Sequence, residues 1–116
     1  MEKIEQLEEI INNSNNIVVF TGAGVSTLSG IKDFRGKNGL YKEKFEHSAE
    51  YYLSSRCFFL EPDTFYKFYK SNMNVSDKEP NIVHKYLTKL EKDGKLKAVV
   101  TQNIDGLDKK SGTKNV

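Results

Sequence analysis

Residues 17–35 read IVVFTGAGVSTLSGIKDFR, and the fold turns on how they are parsed. An apolar, largely β-branched run from Ile17 to Phe20 stops at Thr21-Gly22-Ala23-Gly24, and helix-compatible residues follow. Glycine lets the backbone turn sharply and come close to a ligand where a Cβ would intrude. A helix starting behind such a turn aims unpaired N–H groups and its positive dipole end at an anion, typically a phosphate. The stretch therefore reads as a strand, a phosphate-binding turn and a helix start. On spacing alone, an ordinary strand-to-helix turn fits the two glycines equally well.

Upstream, Ile4, Leu7, Ile10 and Ile11 recur at helical spacing with Glu2, Glu5, Glu8 and Glu9 between them. This predicts an amphipathic helix with acidic early turns, where the macrodipole favours them. Asn12–Asn16 end it, since asparagine and serine prefer turns. The strand at 17–21 is apolar almost throughout, as expected of a parallel strand covered on both faces.

Downstream, residues 29–43 hold three glycines and several charges and read as a surface loop. Loops of this length are usually functional lids or disordered. Asp33, Phe34 and Arg35 are the distinctive cluster in it. They fit an aromatic lid and a cation beside a phosphate-rich ligand, and more readily a loop pinned by one buried Phe and a local Asp–Arg pair. From Phe45 to Met73 the chain is loaded with aromatics, Pro62 suits a helix start, and Phe65, Phe68, Tyr69 and Met73 form one apolar face. Such a stripe reads as core. A further helix is predicted over Pro80–Asp93, with Val83, Tyr86, Leu87 and Leu90 inward and Gly94 as its stop. His84 falls near the inner face and reads as a structural, hydrogen-bonded histidine. Lys85, Lys89, Lys92, Lys95 and Lys97 read as a solvated helix face, because Glu91 and Asp93 interrupt them.

Leu96–Thr101 is the second strand, and Gln102-Asn103-Ile104-Asp105-Gly106 follows it. Strand, helices, strand makes a crossover unit with parallel strands. In open α/β sheets ligands gather beyond the carboxyl ends of the strands, so Gly22 and Gln102–Asp105 should converge on one crevice. The usual dinucleotide fingerprint is less well met. Glu43 and Glu46 fall near the distance of its ribose-binding acid but sit among helix-like residues.

The 116 residues suit one small α/β domain, and 18 basic against 16 acidic residues, closely interleaved, argue for no nucleic-acid partner. No apolar run approaches a membrane span, and residues 1–16 lack a signal-peptide core, which predicts a cytoplasmic location. Cys57 is the only cysteine, so the chain builds neither an internal disulfide nor a multi-cysteine metal site.

Two blocks together resemble a known family. Gly22–Gly36, GAGVSTLSGIKDFRG, and Thr101–Leu107, TQNIDGL, resemble the two N-terminal motifs of the sirtuins, the NAD-dependent protein deacylases. Glu79-Pro80-Asn81 with His84 and Leu87 resembles the helix before that family's second motif. Two departures stand out: Lys32, where the pattern usually carries proline, and Asp108, where it usually carries histidine.

The resemblance implies an incomplete Rossmann-like parallel sheet, with residues 1–41 and 95–116 as its Rossmann-like portion and 42–94 as a helical insertion. It implies that Gly22, Ala23 and Gly24 line the pyrophosphate of NAD, with Thr27 nearby. Asp33, Phe34 and Arg35 would lie on a loop over NAD, with Phe34 shielding the reacting ribose carbon. Gln102 and Asn103 would approach the nicotinamide ribose, Asn103 with a catalytic role, while Ile104 and Asp105 hold the carboxamide. The implied reaction moves the acyl group of an acyl-lysine protein substrate to ADP-ribose as nicotinamide leaves. The bond-breaking carbon becomes cationic, so such a site must position a poor nucleophile and exclude water.

The family's general-base histidine, in a His-Gly motif soon after the second block, is implied to lie beyond Val116, as are four zinc-binding cysteines. Neither His47 nor His84 occupies its position. The chain is then the N-terminal part of such an enzyme, expected to be inert by itself because a positioned base contributes ~10²–10⁴-fold to rate. A two-stranded unit also leaves edges uncovered, which predicts self-association. An NAD hydrolase of the same superfamily, or a non-enzymatic interaction module, are the alternatives.

Overall fold

The computed structural model describes residues 2–116. In chain order its elements are α1 (Lys3–Asn12), β1 (Ile17–Thr21), a 3-10 helix (Ala23–Ser29), a second 3-10 helix (Leu40–Lys42) and α2 (Ala49–Tyr52). After these come α3 (Ser55–Leu60), α4 (Pro62–Asn72), α5 (Ile82–Lys92), β2 (Leu96–Thr101) and α6 (Leu107–Ser111). They form two compact units: one of residues up to Ser29 together with Glu79–Val116, the other of Gly30–Lys78. The fold class is the expected α/β, with both strands at the predicted positions.

In the first unit β1 and β2 pair in parallel, Val18 opposite Ala98, Val19 opposite Val99, Phe20 opposite Val100 and Thr21 opposite Thr101. A register shift between Ile17 and Val18 absorbs one extra residue of β2. Leu96 and Val99 pack with Leu87 and Leu90 of α5, and Ile11, Ile17, Val19 and Val83 close around them. Helix α5 starts at an Asn81 cap that accepts the Val83 N–H at 2.9 Å. It ends at Gly94, whose φ of +78° lets Lys95 N–H reach back to the Leu90 carbonyl at 3.0 Å. The Lys95 ammonium then donates to the carbonyls of Ile11 (3.3 Å), Asn12 (2.9 Å) and Ser14 (3.1 Å), tying the end of α1 to the start of β2.

The expectation that β1 is covered on both faces does not hold. Val18 and Phe20 are 61% and 66% exposed, and Val100 opposite Phe20 is 50% exposed. Side chains alternate across a strand, so the helix layer covers Ile17 and Val19 while the other apolar face stays bare. Tyr86, expected inward, is also exposed, because Val83, Leu87 and Leu90 already fill the inner stripe of α5. In α1 the apolar residues Ile4, Leu7 and Ile10 are exposed, and only Ile11 joins the core.

The second unit is built on aromatics. Leu40, Ala49 and Phe68 are buried, with Phe34, Tyr41, Phe45, Tyr52, Leu53 and Met73 packed against them. Tyr52 stacks on Phe68 at 4.5 Å, and Phe45 meets Phe68 edge-on at 5.1 Å. Of the predicted stripe Phe68 and Met73 join this core, while Phe65 and Tyr69 are half-buried and stack on each other at 5.9 Å; Pro62 opens α4 as expected. Residues 30–39 form a loop as expected, but the stretch does not lie wholly at the surface, since Gly39 and Leu40 are buried. The Leu40 N–H donates to the Asp33 carbonyl at 2.7 Å and the Tyr41 N–H to the Phe34 carbonyl at 2.9 Å, which carries Leu40 into the core. Lys32 and Glu43 form an ion pair across the same segment. Among the described residues no helix is long and apolar enough to cross a membrane.

Candidate functional site

The strands place the site. Their carboxyl ends are in register at Thr21 and Thr101, and the Thr21 hydroxyl donates to Thr101 Oγ1 at 2.8 Å. The ladder runs one step further, with the Gln102 N–H donating to the Thr21 carbonyl at 3.1 Å. Both strands therefore deliver their following residues to the same edge. Beyond Thr21 the chain enters the 3-10 helix at Ala23 and not an α-helix, with the Val25 N–H closing on the Gly22 carbonyl at 3.2 Å.

The two blocks meet through side chains. Asn103 Nδ2 donates to the Gly22 carbonyl at 2.9 Å and reaches Ser26 Oγ at 3.4 Å. The Ser26 hydroxyl donates to Asp105 Oδ2 at 2.5 Å, while Asp105 Oδ1 accepts the Leu107 N–H at 3.0 Å. Asn103 is itself held by its N–H on Thr101 Oγ1 at 3.0 Å. Each group in this line is thus both oriented and occupied, and a carboxylate bridged to a hydroxyl and a backbone N–H has little rotational freedom. Gly106 turns with a φ of +71°, which starts α6 directly behind the cluster.

What remains open lies on the outer side. A Cβ on Gly24 would meet nothing within 4 Å, and one on Gly22 would meet only Gln102 Oε1 at 3.5 Å. Ile104, between the two anchored residues Asn103 and Asp105, is 76% exposed. The Thr27 hydroxyl donates to the Gly24 carbonyl at 2.9 Å and so steadies the turn from behind. Open glycine backbone next to an exposed apolar side chain suits a ligand with both an anionic and a flat apolar part.

Ser26 is the residue that reading the sequence missed. It is 1% exposed and carries the link between the blocks. The available signal was a small hydroxyl two positions past the second glycine. His84 is the structural histidine expected: it is fully buried, and its Nδ1 accepts the Asn81 N–H at 3.1 Å. Asp108, also buried, has its carboxyl pushed up by burial, pulled down by His84 and pushed up again by Asp105.

Asp33, Phe34 and Arg35 belong to the second unit. Asp33 Oδ1 accepts the Gly36 N–H at 3.2 Å, the Phe34 ring lies 5.3 Å from that of Tyr41, and the Arg35 guanidinium sits 5.9 Å over Tyr41. Asp33 thus turns the backbone, and Arg35 faces an aromatic ring. No cluster of three or more metal-ligating side chains occurs among the described residues.

A family model described as the Sir2 family matches residues 22–116. The "NAD-dependent protein deacetylase" of Clostridium perfringens is 53% identical over 117 residues, which cover 99% of this chain and 48% of that protein. A solved Sir2 structure with a deacetylated p53 peptide and 3'-O-acetyl ADP-ribose is 40% identical, with a TM-score of 0.86 over 99% of this chain and 46% of that one. Another, a Sir2 with p53 peptide and NAD+, is 37% identical, with a TM-score of 0.80 over 99% and 44%. The chain spans about half the length of the curated relatives it matches.

Proposed function

The chain belongs to the Sir2 family, and from that premise we propose that it forms one wall of the NAD site in an NAD-dependent protein-lysine deacylase. The observation that carries this reading is the bond from Asn103 Nδ2 to the Gly22 carbonyl at 2.9 Å, which brings both motif blocks to one strand edge. The residues fit the cofactor: Gly22, Ala23 and Gly24 offer backbone with open space at Gly24, and Ile104 offers an exposed apolar side chain.

Bound NAD supplies an electrophilic ribose carbon and the ADP-ribose that accepts the acyl group. The chain's own residues bind and orient. Gly22, Ala23 and Gly24 receive the pyrophosphate, with Thr27 nearby holding their turn, Gln102 and Asn103 receive the nicotinamide ribose, and Ile104 with Asp105 the carboxamide. Asn103 acts at the ribose from a position fixed by three hydrogen bonds. Such fixation is what positioning a weak nucleophile demands. Asp33, Phe34 and Arg35 are assigned to the same cofactor on their motif, with Phe34 excluding water from the reacting carbon. The substrate is an acyl-lysine side chain of a protein, and the location is cytoplasmic. Structural zinc belongs to sequence outside these 116 residues.

The 116-residue chain by itself is expected to be inert and to associate through its uncovered strand edge. Calorimetric titration tests this: no micromolar NAD binding by the isolated chain is expected, and binding at that level refutes the half-site reading. In a gene product of the relatives' length, Asn103→Ala should abolish NAD-dependent deacetylation of an acetylated peptide. Retained activity refutes the assignment, and NAD cleavage independent of peptide marks a hydrolase.

A further inference from the structure

Helix α4 has two faces, and the core of the second unit uses one of them. Phe68 is buried in that core, and Tyr66, two residues earlier, stands about 200° around the helix from it. Asp63, Tyr66 and Lys70 are all exposed, and their spacing of three and four residues sets them in one row along the outer face. From the amino to the carboxyl end the row is acid, aromatic, base. With a rise of about 1.5 Å per residue, Asp63 and Lys70 stand about 10 Å apart along the axis, too far to pair with each other. Neither takes part in an ion pair among the described residues.

The row is continuous with an aromatic patch from α3. The Tyr66 ring lies 6.0 Å from that of Phe58, which meets Phe59 edge-on at 5.0 Å. Phe59 and Leu60 are 75% and 67% exposed. Exposed apolar side chains gathered within a polar rim mark an interaction surface, and aromatics are enriched at the centres of interfaces. The patch contains no residue of either motif block.

The order of the charges selects the partner. Turned end for end, the row matches itself: Asp63 of one copy meets Lys70 of the other, and Lys70 meets Asp63. The midpoint of the row falls between Tyr66 and Lys67, so a two-fold axis there brings the two Tyr66 rings together, as the isologous contact of a symmetric dimer requires. An anionic lipid surface calls for a basic rim, and Glu61 with Asp63 at one end of α4 opposes it. We propose that this outer face of α3 and α4 docks a second copy of the chain, antiparallel, with two Asp63–Lys70 ion pairs flanking the Tyr66 rings. The contact is separate from the bare sheet face of Val18 and Phe20, and it does not rest on the deacylase reading.

Sedimentation velocity on the 116-residue chain tests this by charge exchange. Asp63→Lys sets lysine against lysine in both pairs, and Lys70→Asp sets aspartate against aspartate. Each should weaken the dimer by about tenfold or more. The double variant carries the row reversed and should regain wild-type association, and an equimolar mixture of the two single variants should form a mixed dimer. Net charge does not imitate this pattern. The chain carries +2, which Asp63→Lys raises and Lys70→Asp lowers, so general repulsion would weaken the first variant only. Association through the sheet face is common to every variant. A wild-type chain monomeric at millimolar concentration, a Lys70→Asp variant that associates as wild type, a double variant that stays monomeric, or a mixture without mixed dimer overturns the proposal. If a single variant loses its far-UV helix signal, Asp63→Asn and Lys70→Gln replace the pair; each should weaken the dimer, and unchanged association in both overturns the proposal.

Discussion

Replacing Ser26 by alanine removes one hydroxyl and little volume, so its cost measures the link between the two motif blocks. Ser26 Oγ is buried, donates to Asp105 Oδ2 at 2.5 Å and lies 3.4 Å from Asn103 Nδ2. Hydrogen bonds to charged groups contribute about 1.5–3 kcal/mol, and a contact as long as the one to Asn103 adds little. Asp105 is only half-buried and keeps the Leu107 N–H, so its freed oxygen regains water and the lower end applies. The expected loss is about 1.5–2 kcal/mol. For a chain of this size that is a fall in Tm of about 6–8 °C. The chain has no tryptophan, so urea unfolding followed by far-UV circular dichroism is the assay. A cycle with Asp105→Asn isolates the pair term, expected at about 1 kcal/mol or more because the side chains touch. A Ser26→Ala variant within about 0.5 kcal/mol of wild type, the range of neutral surface changes, refutes the reasoning.

Gly39→Ala should destabilise the second unit by about 1–3 kcal/mol, because its Cβ would lie 2.5 Å from the Phe34 carbonyl oxygen, a backbone atom that cannot swing aside; a melt unchanged from wild type contradicts this. Glu91 accepts the N–H groups of Lys114 and Asn115 at 2.8 and 3.0 Å, which hold its carboxyl below the usual range. A depressed folded-state pKa stabilises above the unfolded value of about 4.3 and is lost as pH falls through the folded one. Glu91→Gln should therefore flatten the loss of stability on acidification below about pH 5, and an unchanged acid slope excludes that role. Phe20→Lys, on the bare sheet face, should raise the monomer fraction in gel filtration with multi-angle scattering, since contiguous exposed apolar surface promotes association; a wild-type chain already monomeric at high concentration refutes it.

The parts of this fold that sequence made legible are those with a strong local signal. The apolar runs at 17–21 and 96–101 are strands, Gly94 stops α5 with a positive φ, and the glycine turn meets the polar residues after β2. What escaped reading depends on packing and hydrogen bonds that periodicity does not show. An all-apolar β1 looks the same whether one face or two are covered, and only the packing of α5 shows that Val18 and Phe20 are bare. Leu40 sits among glycines and charges, yet the bonds to Asp33 and Phe34 fold it into the core. Ser26 looks like any residue opening a helix until Asp105, 79 positions on, accepts the hydrogen bond from its hydroxyl.

In the proposed function the two blocks serve a single cofactor in a protein deacylase. The most direct measurement is the stoichiometry of nicotinamide release and acetyl transfer by the gene product of the relatives' length, given NAD and an acetylated lysine peptide. One nicotinamide for each acetyl group moved to ADP-ribose, with both lost in Asn103→Ala, is the predicted result. Nicotinamide released at the same rate without peptide, or undiminished turnover in Asn103→Ala, would contradict it.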